Sequence, residues 1–180
     1  MKRSALSGYK RYVRFCFLLT LAVAPSCKDD DTEEKQRESI ERYITATLRA
    51  EVDEKDGVYY VPRSVDSSPD RVPVEPGDMV ELEYEAMTLS GVLFAASNDS
   101  TAWRNGLEPY PGGGNRAEVE VGSGKLIAGL DRGLLRMALG EQALLLFPFT
   151  LGYGNEHVGL VPSQSALIFN VLVTKVDKRY

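Results

Sequence analysis

The 180 residues carry 21 Lys and Arg against 26 Asp and Glu, a net charge of −5, and 43% of them are hydrophobic. That is apolar material enough for one packed domain with additional segments. The acidic balance makes nucleic acid and anionic lipid poor partners, and a single histidine, His157, leaves no ligand set for a metal.

The first stretch holds Lys2, Arg3, Lys10, Arg11 and Arg14 without an acid, and the apolar run FCFLLTLAVAPS then leads to Cys27. This is the pattern of a signal peptide over residues 1–26, too short to span a bilayer comfortably. Its removal takes away five positive charges, leaving 16 basic against 26 acidic residues and a net charge of −10. Cys16 leaves with it, so Cys27 stands alone and no intramolecular disulfide is expected. Two readings of Cys27 remain. After Ser26 it resembles the lipidated cysteine of a bacterial lipoprotein, with Ala24 and Pro25 departing from the usual pattern; alternatively it is a free thiol behind an ordinary cleavage site. The first reading places the protein outside the cytoplasm of a Gram-negative bacterium, tied to the outer membrane through a lipid on Cys27 and facing the periplasm or the surface.

KDDDTEEKQRE, after Cys27, is too polar to bury surface and is expected as a solvated tether. The Cys-Lys-Asp-Asp-Asp start is similar to a surface-export tag of some Gram-negative lipoproteins, with a plain spacer as the alternative. Within 33–48, Ile40, Tyr43, Ile44 and Leu48 recur at helical spacing among charges, which predicts an amphipathic helix that packs on the domain or meets a partner. Residues 27–56 thus form tether and helix, and 57–180 the folded domain.

From residue 57 the period becomes two. GVYYVP is a short strand, and in MVELEYEAM the residues Val80, Leu82 and Tyr84 alternate with Glu81, Glu83 and Glu85, giving one buried and one wet face. VLFAAS is a further strand. A long turn-rich excursion from Asn98 to Arg116 carries Trp103 and Tyr110, either of which is placed to fold over a neighbouring opening. AEVEV alternates again, with Val119 and Val121 inward.

Gly-Ser-Gly-Lys at 122–125 lies where a phosphate-binding loop would sit, between a strand and a helix. Such a loop needs glycine at the place of Val119 and a hydroxyl at that of Leu126, so a nucleotide site is not supported. Leu130, Leu134 and Met137 predict a short helix, with Gly140 at its C-terminal cap. EQALLLF is a strand stopped by Pro148, a Gly-punctuated loop follows, and LIFNVLVTKV is a last strand with Leu167, Phe169, Val171 and Val173 on one face. Five or six mainly hairpin-connected antiparallel strands wrapped on one short helix make an α+β fold.

Three segments, GDMVELEYEAMTLSGVLFAAS, VGSGKLIAGLDRGLLRMALGEQALLLFP and LGYGNEHVGLVPSQSALIFNVLVTKV, resemble in order and spacing the FKBP-type peptidyl-prolyl isomerases, the macrolide-binding immunophilins. The resemblance covers about residues 57–177. It implies that the glycines after Val121 turn the chain around an apolar pocket, with Lys125 on the surface beside it. It also implies a pocket role for Tyr84 and Phe94, for Leu126 and Ile127, the latter offering its backbone N–H to a substrate carbonyl, and for Leu130, where a tryptophan is frequent. Tyr153 matches the tyrosine whose hydroxyl bonds ligand, and His157, Leu160, Val161 and Phe169 match residues closing the pocket. Tyr153, Ile127 and Phe94 are the catalytic candidates. Ala95 departs from the family's aspartate, Ala117 from an aromatic residue and Ser163 from a second proline, so the polar side of the pocket is depleted. The resemblance implies isomerisation of X-Pro bonds in exported or envelope polypeptides, no cofactor, and macrolides as possible ligands; a non-catalytic peptide-binding or chaperone module is the alternative.

Overall fold

The computed structural model describes residues 27–65, 67–108 and 116–179, with side chains from Thr32 onward. The expected signal peptide and Tyr110 lie outside these residues. Helix α1 (Cys27–Arg42) opens the described chain and passes into a wider π-helical turn, Tyr43–Leu48. It begins at Cys27 rather than near residue 33, so the acidic stretch expected as a tether is helical. The aspartates and glutamates at its start favour this, because anionic side chains complement the positive end of a helix dipole.

Among the described residues seven strands follow in one antiparallel sheet: β1 (Glu54–Lys55), β2 (Val58–Ser64), β3 (Met79–Thr88), β4 (Leu93–Ala96), β5 (Ala117–Glu120), β6 (Gln142–Phe147) and β7 (Leu167–Asp177). Six of them are the strands expected from the sequence, and the two-residue β1 is added. The order is β1-β2-β6-β7-β3-β4, with β5 pairing the first half of β3 and β4 its second half. Among the described residues there are also two short α-helices, α2 (Asp99–Arg104) in the excursion and α3 (Ala128–Leu134) in the concave face of the sheet, and a 3-10 turn, Phe149–Leu151.

Strand composition follows from which faces are covered. On the concave side Val80, Leu82, Ala143, Leu145, Phe147, Leu167, Phe169, Val171 and Val173 pack with Leu130, Leu134 and Met137. On the opposite face α1 and the π-helical turn lay Ile40 and Ile44, both fully buried, on Tyr59, Val61, Leu144, Leu146 and Ile168. β6 is therefore covered twice, and its ALLLF run is apolar without interruption. On β7 the outer face turns from Ile168 under the helix to Asn170 and Thr174 beyond it. Burying each isoleucine contributes about 1.5–3 kcal/mol relative to leaving it exposed.

Gly129 and Gly133 sit one helical turn apart on the side of α3 that meets β6. A Cβ on Gly129 would lie 2.3 Å from the Phe147 ring, and one on Gly133 would lie 2.5 Å from Leu145. These two glycines serve close packing within a helix, not turning of the chain. The turns belong to Gly122 (φ 76°) and Gly124 (φ 72°). Gly140 (φ 79°) is likewise no helix cap: α3 ends at Leu134, and Gly140 lies in the turn entering β6, its N–H donating to Val173 O. Beside that turn the fully buried Glu141 accepts two bonds from Arg71, at 2.9 and 3.0 Å, and one from the Ala138 N–H. The long connection before β3 is fastened there.

Gly129→Ala tests the helix contact. Alanine raises helix propensity by about 1 kcal/mol, whereas overpacking a closed core costs about 1–3 kcal/mol. With Phe147 fully buried and stacked on its far side, the overlap wins: chemical denaturation is expected to show net destabilisation, and a gain in stability would contradict the packing described.

Candidate active site

The concave sheet and α3 leave a cavity of about 290 Å³ open to solvent at one end. β3 contributes Leu82 and Tyr84 to its wall, β4 Phe94 and Ala95, and β5 Ala117 and Val119. The Gly-rich turn after β5 brings Lys125, Leu126 and Ile127, α3 brings Leu130, and β7 brings Phe169. Tyr153 closes the set from the loop between β6 and β7.

Aromatic packing fixes these walls. Phe169 stacks on the buried Phe147, ring centres 5.7 Å apart and planes 19° from parallel. Phe94 meets Phe169 edge to face at 6.0 Å and 76°, and meets Tyr153 at 6.1 Å and 74°. Tyr84 stacks on Phe169 at 6.2 Å. Such edge-to-face and offset pairs are the arrangements that ring quadrupoles favour, each worth about 0.5–1.5 kcal/mol beyond area burial.

The cavity is nearly without charge. Its one ionic side chain, Lys125, is mostly exposed and turns its ammonium to Glu120 at 3.0 Å. Burial raises the Tyr153 hydroxyl above its ordinary ionisation range, so it remains a proton donor through neutral and mildly alkaline pH. Among the described residues neither that hydroxyl nor the backbone N–H of Ile127 has a hydrogen-bond partner. Ile127 holds extended geometry (φ −62°, ψ 142°) as the residue capping α3. The turn before it is set by Asp131, whose carboxylate accepts the Gly122 N–H at 2.7 Å. The arrangement can hold an apolar ring against aromatic walls and offer donors to carbonyls at the rim. Among the described residues no group of His, Cys, Asp and Glu is placed to hold a metal ion.

Of the sequence candidates, Tyr84, Phe94, Leu126, Ile127, Leu130, Tyr153 and Phe169 come together here. His157 and Leu160 are exposed and do not line the cavity, and Val161 is buried in the core beneath it. The reason is a tight turn, Val158 to Val161, closed by two backbone bonds of 3.0 and 2.8 Å, which throws Leu160 outward and turns Val161 inward. Trp103 does not cover the opening; it lies on α2 and is 70% exposed. Ala95 and Ala117 do line the cavity, at the positions where an aspartate and an aromatic ring were expected. Leu82 and Val119 read in the sequence only as inward strand residues. A second hollow, on the outer face of the sheet, is lined by Glu83, Glu85, Gln142 and Asn170 and offers no comparable apolar wall.

A model of the FKBP-type peptidyl-prolyl cis-trans isomerase family matches residues 71–174. The chain belongs to that family. It is 33% identical over 99 residues to FK506-binding protein 2 of Debaryomyces hansenii, a match covering 55% of this chain and 64% of that protein. It is 36% identical over 111 residues to peptidyl-prolyl cis-trans isomerase FKBP9 of Mus musculus, covering 60% of this chain but 17% of the mouse protein. The chain thus spans less than two thirds of the length of these relatives. Its fold is similar to that in the crystal structure of FkpA from Escherichia coli, with a TM-score of 0.60 and 22% identity, over 83% of this chain and 61% of that one.

Two substitutions separate pocket from core. Tyr153→Phe removes the donor of one neutral hydrogen bond to a bound carbonyl, worth about 0.5–1.5 kcal/mol. It is expected to weaken binding of a proline peptide by about threefold to tenfold, with thermal stability unchanged. Phe169→Ala removes the ring on which Tyr84, Phe94 and Phe147 pack and is expected to cost about 3–5 kcal/mol of stability. Isothermal titration and thermal unfolding of both variants check this; equal stability losses would make Tyr153 a core residue.

Proposed function

We propose that this protein catalyses cis-trans isomerisation of X-Pro bonds in exported or envelope polypeptides, and that it does so from a lipid anchor at Cys27 outside the cytoplasm of a Gram-negative bacterium. The observation carrying the catalytic part is the aromatic-walled cavity with two donors, Tyr153 O–H and Ile127 N–H, unpartnered among the described residues, in a chain of the isomerase family.

The barrier to rotation, about 18–20 kcal/mol, is the loss of amide resonance. Planar amide is charge-separated, and the twisted form, with a single-bond-like C–N link, is less so. A water-poor pocket therefore disfavours the planar ground state relative to the twisted one without any acid, base or nucleophile. In this reading Phe94, Leu130 and Phe169 hold the proline ring, Tyr84 and Leu126 wall the flanking residue, and Tyr153 and Ile127 orient carbonyls. His157 and Leu160, on the rim loop, are available only to substrate beyond the cavity. Macrolides are a second ligand class for the same apolar walls.

The anchor reading is supported by the basic start, the apolar run and the isolated Cys27. Among the described residues no helix is long and apolar enough to cross a membrane. Cys27→Ser in the full-length chain is expected to shift the protein from the membrane fraction to the soluble or unprocessed fraction; equal solubility of both forms after cleavage would refute the anchor.

A second reading, a peptide-binding module without useful catalysis, is favoured by one observation: Ala95 leaves the cavity wall beside Phe94 without a carboxylate. The two readings differ in rate. Catalysis is expected to be weak but measurable, stronger with a bulky apolar residue before proline, and Ala95→Asp is expected to raise it several-fold by adding one oriented acceptor, about 0.5–1.5 kcal/mol. A cis-trans exchange assay on both proteins decides: binding with no acceleration in either would establish the module.

A further inference from the structure

α1 lies outside residues 71–174, the stretch that matches the family, yet one of its side chains is joined to the loop that carries Tyr153. The Gln36 amide oxygen accepts the N–H of Phe149 at 2.9 Å, and its nitrogen donates to the carbonyl of Gln164 at 2.6 Å. Those two residues stand at opposite ends of the loop between β6 and β7. Both also bond Gly154, the neighbour of Tyr153: the Gly154 N–H donates to Phe149 O at 2.9 Å, and the Gly154 carbonyl accepts from Gln164 N–H at 2.9 Å. Gln36, Phe149, Gly154 and Gln164 therefore form a closed ring of hydrogen bonds. Gln164 adopts φ 55°, a left-handed backbone that a glutamine holds only where its surroundings impose it. Its own side chain donates to Asn155 at 2.8 Å, on the far side of Gly154.

We propose that Gln36 is a positioning residue for the pocket, holding both ends of the 149–164 loop so that Tyr153 stands edge-on to Phe94 with its hydroxyl at the cavity. The amide is suited to this because it offers one acceptor and one donor from a single planar group, matched to an N–H on one side and a C=O on the other. Neither a carboxylate nor an ammonium supplies both. α1 is fixed beneath it by Ile40, by Ile44 in the π-helical turn that continues it, and by the ion pair of Arg37 with Glu54 of β1. The segment that carries the proposed anchor thus also sets the pocket wall. The effect on rate rests on the isomerase reading above; the effect on the loop does not.

The test uses the full chain with Gln36→Ala and Gln36→Glu. Glutamic acid is nearly isosteric: protonated, it restores both bonds, whereas ionised it loses the donor and faces the Gln164 carbonyl with like charge. The groove beside Gln36 is lined by Ser39, Thr88, Leu89, Ser90, Ser165 and Ala166, none of them charged, and on its own helix the neighbouring Glu33 and Arg37 are paired with each other at 2.7 Å. Losing the N–H···O contacts is expected to speed amide exchange at Phe149, Gly154 and Gln164 in Gln36→Ala by about threefold to tenfold per bond. Isomerase kcat/KM relative to the parent is expected to fall by a similar factor. Gln36→Glu is expected to move towards the parent as pH is lowered and its carboxyl takes up a proton, and to match Gln36→Ala at about pH 8, where it is ionised. Unchanged exchange in Gln36→Ala, or a Gln36→Glu to parent ratio that does not move with pH, overturns the proposal. A parent without isomerase activity would refute the isomerase reading instead, and the exchange data alone would then decide the role of Gln36.

Discussion

The structure depends on how closely α3 approaches β6. Without side chains at Gly129 and Gly133, the helix axis settles directly on Phe147 and Leu145, where any Cβ would overlap them. That approach presses the Phe147 ring flat under Phe169, and Phe169 in turn is the common neighbour of Tyr84 and Phe94. The pocket wall is thus the exposed end of a stack whose buried end is the helix contact. A core of this kind has little freedom to relax, because interiors are packed to crystal-like density. The same constraint that holds the domain together fixes the shape of the site.

The two sides of the sheet have different tasks. The concave side holds α3 and the cavity, and charge is kept out of it. The outer side carries α1 where it is apolar and the acidic row Glu81, Glu83 and Glu85 where it is not, with Arg116 and Lys175 paired to that row at the surface. Exposed pairs of this sort contribute about 0–1 kcal/mol each and do not organise the fold. The buried Arg71–Glu141 contact is different, since removing its cation would strand a fully buried carboxylate. Between the two sides, the loop that bears Tyr153 is held by bonds within itself, by the Leu89 N–H on the Ala166 carbonyl and by the Gln36 amide of α1.

Much of the architecture was legible because it rests on periodicity. The alternation of Val80, Leu82 and Tyr84, the uninterrupted run of β6 and the spacing of Leu130 and Leu134 each report which faces are covered. The pocket residues followed from the resemblance carried by the run from Gly122 to Gly154, and most of those positions converge. The remainder depended on contacts without a local pattern. Nothing in the spacing of Gly129 and Gly133 distinguishes a turn glycine from one that admits a neighbouring ring. Leu160 and Val161 are adjacent apolar residues, and only the two backbone bonds of the Val158 turn decide that one is exposed and the other buried. Gln36 reaches partners 113 and 128 residues away, a separation at which no sequence period operates. The length of the excursion suggested Trp103 or Tyr110 over the opening, but α2 turns Trp103 to solvent.

The central claim is that this one apolar cavity both binds proline and lowers the barrier to its rotation. NMR exchange spectroscopy of a Leu-Pro peptide with the isotopically labelled full chain tests it directly, because one sample reports the cis-trans rate of the peptide and the amide shifts of the protein. Accelerated exchange that saturates with peptide, with shifts centred on Ile127, Leu130 and Tyr153, is the expected result. Unaccelerated exchange, or shifts confined to the outer hollow around Glu83, Gln142 and Asn170, would contradict the claim.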